Sequence, residues 1–188
     1  MLWQPFFDRM ELLFSIFADM SKQSTSFWSF SNELYDKDGV NDACLRLQNG
    51  FQFDVNLVLF CFWAAHFERK LSAESWERVL YFSKKWKSQV VQPLRDTRKW
   101  MKSEAHHHSD SIEFTELQKR IQMEELAAEK FQQEYIENCI PEFESKLAQF
   151  SPIRANRYFE KLMQANSIAP CEEISAHLQL LIRRLEKP

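Results

Sequence analysis

The chain has 188 residues, 45% of them apolar and 27% charged, which is the length of one ordinary domain with ordinary globular usage. That composition excludes a disordered chain, a collagen-like repeat and a wholly membrane-embedded protein. Only Gly39 and Gly50 are glycine, too few for a phosphate-cradling loop or a dinucleotide-binding turn, and a net charge of −3 gives no general attraction to nucleic acid.

The first nineteen residues carry Leu2, Trp3, Phe6, Phe7, Leu12, Leu13, Phe14, Ile16 and Phe17, yet Asp8, Arg9 and Glu11 interrupt them and no basic n-region precedes them. They do not read as a signal peptide. Phe6, Met10, Leu13 and Phe17 share one helical face, so residues 2–17 are expected to dock on the core, a partner or a membrane surface. A natural start at Met20 is the alternative.

From Ser24 onward, helical periodicity dominates and no segment alternates apolar with polar residues for long. Ser24 to Ser26 offer caps to a helix carrying Phe27, Phe30 and Leu34, which Asp38-Gly39 breaks. A short helix from about Val40 to Gln48 is expected to end at a left-handed cap at Asn49-Gly50. Asp54 then caps a helix whose residues Leu57 to Ala65 are apolar without interruption, the mark of a helix buried on every side. That run is nine residues long, where a bilayer crossing needs about twenty. Asn56 and His66 are its polar exceptions, and their spacing puts them on one face.

Ser72 caps the next helix, with Leu71 and Trp76 placed as a hydrophobic staple. A longer helix from about Trp86 to Lys102 must accommodate Pro93, which is expected to kink it. Its buried side is read as Trp86, Val90, Leu94 and Met101, with Val91, Arg95, Arg98 and Lys102 as a neighbouring stripe. Glu104 to Ser111 reads as a loop, and the long helix after it carries Phe114, Leu117, Ile121, Ala128, Phe131 and Tyr135 on a stripe interrupted by Glu124 and Glu125. Pro141 ends it. Three shorter helical patterns follow, starting near Glu142, Pro152 and Cys171. The expected fold is all-α, a single-domain bundle around one fully buried central helix. It divides into an apolar N-terminal segment (1–20), a helical core (21–140) and a C-terminal extension packing on that core (141–188).

Charge is segregated. Residues 68–102 carry an excess of six positive charges and residues 104–146 an excess of seven negative ones, which favours antiparallel pairing of the helices concerned. Cys44, Cys61, Cys139 and Cys171 form no CxxC pair and read as small buried hydrophobes in a reducing cytoplasm. The loop triplet His106 to His108 has no completing ligand, so no metal is expected. No nucleophile elbow or paired-carboxylate motif is present, and no cofactor is expected. One polar constellation remains: Asp54 and Asn56 on the central helix with His66 farther along it, Arg95 and Arg98 on the proline-bearing helix, and Glu124, Glu125 and Glu129 on the long helix. It is either a pocket for a small anionic or amide-bearing ligand or an ion-pair network that fixes helix register.

The runs Phe27-Trp28-Ser29-Phe30-Ser31, Asp54-Val55-Asn56-Leu57, Pro93-Leu94-Arg95 with Arg98, and Glu125-Leu126-Ala127-Ala128-Glu129 resemble an uncharacterised family of small bacterial helical proteins, over about residues 27–138. The resemblance implies a compact helical bacterial cytosolic protein and no activity. The function expected from the residues is non-enzymatic: binding to a protein partner or to itself, with no nucleic acid and no transmembrane segment. The alternative is a ligand-binding protein or enzyme using Asp54, Asn56, His66, Arg95, Arg98, Glu125 and Glu129. Peripheral membrane contact through residues 2–17 is a third reading.

Overall fold

Capping chemistry starts most of the helices. In the computed structural model, which describes residues 26–67, 71–108, 111–140 and 150–186, the Ser26 hydroxyl accepts the Ser29 N–H at 3.1 Å and opens α1 (Phe27–Tyr35). Ser72, Ser111 and Ser151 cap later helices in the same way. The apolar segment of residues 2–17, Met20 and the helical pattern near Glu142 lie outside the described residues.

Gly39 takes φ +78°, the left-handed turn that lets α2 (Val40–Phe51) begin directly after α1. α2 does not stop at Asn49-Gly50 as expected. Gly50 lies inside the helix and Gln52 takes the left-handed position at φ +61°, because Phe51 packs its ring against the core and draws the helix on by another turn. Asp54 Oδ1 then accepts the Asn56 N–H at 3.0 Å and starts α3 (Val55–His66), in which every residue from Asn56 to Ala65 is buried. α3 is the hub. It is flanked by α1, α2, α6 and α7, and its Phe60 and Trp63 meet Phe27 at ring-centroid distances of 5.9 and 5.4 Å.

α4 (Ala73–Trp86) runs on into the proline-bearing stretch without a loop. The chain passes through a π turn, Lys87–Val91, in which the Gln92 N–H reaches five residues back to the Lys87 carbonyl, and continues as α5 (Gln92–Glu104). One extra residue in that turn rotates the rest of the helix. The buried positions therefore run Val79, Ser83, Val91, Arg95, with a step of eight across the π turn where an ordinary helix would step seven, and Phe82 and Trp86 are half-buried beside them. Val90 and Leu94, expected inside, are half-buried at the edge, while Val91 and Arg95 are buried.

A single 3-10 turn, Ala105–His107, replaces part of the expected loop and leads into α6 (Ile112–Asn138). At 1.5 Å per residue, these 27 residues span about 40 Å. α5 lies along α6 to form a helical hairpin with His106 to His108 exposed at its tip. α7 (Pro152–Ala165) packs along α3, and α8 (Glu172–Glu186) packs on α2. Phe159, Leu162 and Leu181 share one continuous core with Phe53, Phe60 and Trp63. No strand occurs among the described residues, so the all-α reading holds. None of their helices is long and apolar enough to cross a membrane.

Phe60 is fully buried at the centre of this packing. Phe60→Ala should cost about 3–5 kcal/mol in urea denaturation, whereas Phe131→Ala on the half-exposed side of α6 should cost less than about 1.5 kcal/mol.

Candidate functional site

Two turns of α6 put Glu125, Glu129, Gln132 and Gln133 on one face, at spacings of four, three and one, and that face points into the protein. A polar stripe on a buried face requires partners, and it finds them on two helices. From α5, Arg95 Nε donates to Glu125 Oε1 at 3.1 Å and Arg95 Nη2 to Glu129 Oε1 at 2.6 Å. Arg98 Nε donates to the other Glu125 oxygen, and its Nη2 donates to Oε1 at 3.2 Å. Glu125 is 2% exposed and Arg95 9%, so this carboxylate lies between two guanidiniums almost free of water.

The second half of the seam is an amide relay. Gln132 Nε2 donates to Asp54 Oδ2 at 2.8 Å, Asn56 Nδ2 donates to Gln132 Oε1 at 2.9 Å, and Gln133 Nε2 donates to Asn56 Oδ1 at 2.7 Å. Its direction follows from its end: the Asp54 carboxylate can only accept, so each amide behind it must turn its nitrogen toward Asp54. At the far end Gln133 Oε1 is left buried without a donor, and Ser31 Oγ on α1 is likewise buried without a bond.

Asp54, Asn56, Arg95, Arg98, Glu125 and Glu129 are thus brought into one seam, as two neighbouring clusters, but His66 is not. His66 sits at the opposite end of α3 among the rings of Phe30, Phe67 and Phe150, with its Nδ1 buried and unbonded. Sharing a face with Asn56 does not bring it near, because ten residues of helix rise about 15 Å. Burial, with the Lys37 charge adding to it and Glu33 opposing it, holds its imidazole below the ordinary value of 6.5. Glu124 also stands apart, exposed on the outer side of α6.

Gln132 and Gln133 escaped the sequence reading, although their spacing from Glu125 puts them on its face. So did Lys87, whose Nζ donates to the carbonyls of Gln52 and Phe53 at 3.1 and 3.3 Å and ties the π turn to the end of α2. Trp86 Nε1 donates to the Ala128 carbonyl at 2.9 Å, and the Phe27 N–H to Glu137 Oε2 at 2.9 Å.

Among the described residues no group of His, Cys, Asp and Glu is placed to hold a metal ion. Cys44, Cys61 and Cys139 are buried as expected, and burial pushes the Cys44 thiol up to about 12, well away from nucleophilic chemistry. Cys171 differs: it is exposed at the start of α8.

Burial raises the Glu129 carboxyl to about 7 from an ordinary 4.5, with Arg95 pulling it down and Glu125 pushing it up. A folded-state value above the unfolded one contributes stability fully present below pH 4.5 and lost as pH rises through about 7. Glu129→Gln, which mimics the protonated form, should match wild type near pH 4.5 and exceed it at pH 8 by on the order of 1 kcal/mol in urea denaturation. A variant weaker than wild type at pH 8 would show instead that Arg95 keeps Glu129 ionised.

The comparisons with known proteins place the chain in a family without assigning it an activity. The family model described as "Protein of unknown function (DUF2390)" matches residues 26–136, more than half of the chain, and the chain belongs to that family. No curated protein and no solved structure matches it.

Proposed function

We propose that this family member is a non-enzymatic bacterial cytoplasmic protein that works by contact with another protein or with itself, through the outward side of the α5–α6 hairpin. The observation that carries this reading is the side of α6 opposite the polar seam. There Met123, Ala127 and Phe131 follow one another at four-residue spacing as an exposed apolar ridge, Met123 48% and Phe131 47% exposed, the Phe131 ring resting on Trp86 at 4.7 Å and leaving its other half to solvent. The ridge stands on a rigid support, since the face beneath it is joined to α5 by the Arg95, Arg98, Glu125 and Glu129 network. Helix ridges of this kind are what helix-to-helix recognition uses. Burial of Cys44, Cys61 and Cys139 as free thiols fits a reducing compartment.

A second reading, a small ligand held by the seam, has one observation in its favour: the buried Gln133 Oε1 that lacks a donor. Against it, both guanidiniums are already engaged by the carboxylates that would have to release them.

Immobilised wild-type protein should take up a protein, its own soluble copy or another, saturably and at about one to one. Phe131→Lys should weaken that uptake by about tenfold or more while lowering the thermal midpoint by no more than about 5 °C, the cost of losing its ring contact with Trp86. Equal uptake by both forms, or none by wild type, contradicts the proposal.

A further inference from the structure

The outward ridge of α6 has a charge pattern that selects its occupant. Arg120 stands seven residues before Ala127 and Glu134 seven after it; Glu124 stands three before and Lys130 three after; Met123 stands four before and Phe131 four after. At 100° per residue, Arg120, Met123, Ala127, Phe131 and Glu134 lie within about 80° of one another, on the side away from Glu125, Glu129 and Gln132. Arg120, Met123, Glu124, Ala127, Phe131 and Glu134 are all exposed.

We infer that this face binds the same face of a second copy of the chain, antiparallel, with the two-fold axis at Ala127; this rests on the proposed protein-binding role and names its partner. In an antiparallel pair, residues equally far from the axis on either side meet across it. Arg120 then faces Glu134 of the second copy, Glu124 faces Lys130, and Met123 faces Phe131, each pair occurring twice. Opposite charges meet and apolar side chains meet. A parallel pair would set Arg120, Glu124 and Glu134 each against its own copy, which like-charge repulsion opposes. Ala127 is the smallest side chain of the ridge and stands where the axes cross, so the two helices approach closely there. Among the described residues Arg120 and Glu124 form no ion pair, and Lys130 meets Glu134 at 3.7 Å and lies 5.9 Å from the centre of the Trp28 ring. The interface is self-complementary without any rearrangement of the buried seam.

Sedimentation equilibrium of the full chain tests this between about 5 and 500 µM, where an interface of less than standard size dissociates. Wild type should shift from monomer toward dimer across that range. Ala127→Arg, an exposed change that sets two cations together on the axis, should remain monomeric. Arg120→Glu and Glu134→Arg should each weaken the dimer about tenfold, while the double variant, with both pairs reversed, should return to within about threefold of wild type. A monomeric wild type, or a double variant no better than the single ones, overturns the inference. If wild type is monomeric yet Phe131→Lys still abolishes uptake of a different protein, the second copy is the wrong partner and the binding role stands. If Phe131→Lys changes nothing, both fall.

Discussion

The Glu125 carboxylate, enclosed by the Arg95 and Arg98 guanidiniums, is the contact on which the rest depends. A lone carboxylate at 2% exposure would cost several kcal/mol in desolvation, so α6 can bury this face only with α5 laid against it in one register. The same face continues into Gln132 and Gln133, which reach Asn56 and Asp54 at the start of α3. One stripe on the longest helix therefore positions both the hairpin arm and the hydrophobic hub. Apolar packing supplies most of the stabilisation, but it tolerates sliding; a chain of directional hydrogen bonds does not.

The π turn makes this arrangement reachable. Pro93 lacks the N–H that would continue an ordinary helical ladder, and the widened turn before it absorbs the loss while rotating Arg95 and Arg98 onto the inner face. Without that extra residue the inner face after Trp86 would continue through Val90 and Leu94, and the arginines would stand beside α6 rather than against it. Lys87 at the start of the turn holds the end of α2, so the irregular element is tied on both sides.

Much of this was legible in the sequence. The buried character of α3 follows from an unbroken apolar run, since such a helix has no side to offer water. Ser26, Asp54, Ser72 and Ser151 announce helix starts through local chemistry that tertiary packing does not override. The pairing of Arg95 and Arg98 with Glu125 and Glu129 was foreseeable because buried charges need partners. What was not legible depends on contacts distant in sequence. Phe51 extends α2 past Gly50 by packing on the core, the π turn shifts the inner face by one residue, and His66 shares a helical face with Asn56 yet lies three turns away in another environment. Glutamines carry no charge to draw attention, so Gln132 and Gln133 emerge only once α3 and α6 are side by side.

The most direct test of the central contact is a double-mutant cycle on Arg95 and Glu125, using Arg95→Met, Glu125→Leu and the double variant in urea denaturation. With Arg98 still donating to Glu125 once Arg95 is gone, each single change costs about 3 kcal/mol and the double costs less than their sum, giving a coupling of about 1–2 kcal/mol. Single changes that simply add, with coupling near zero, would contradict the claim that this buried pair sets the register of the fold.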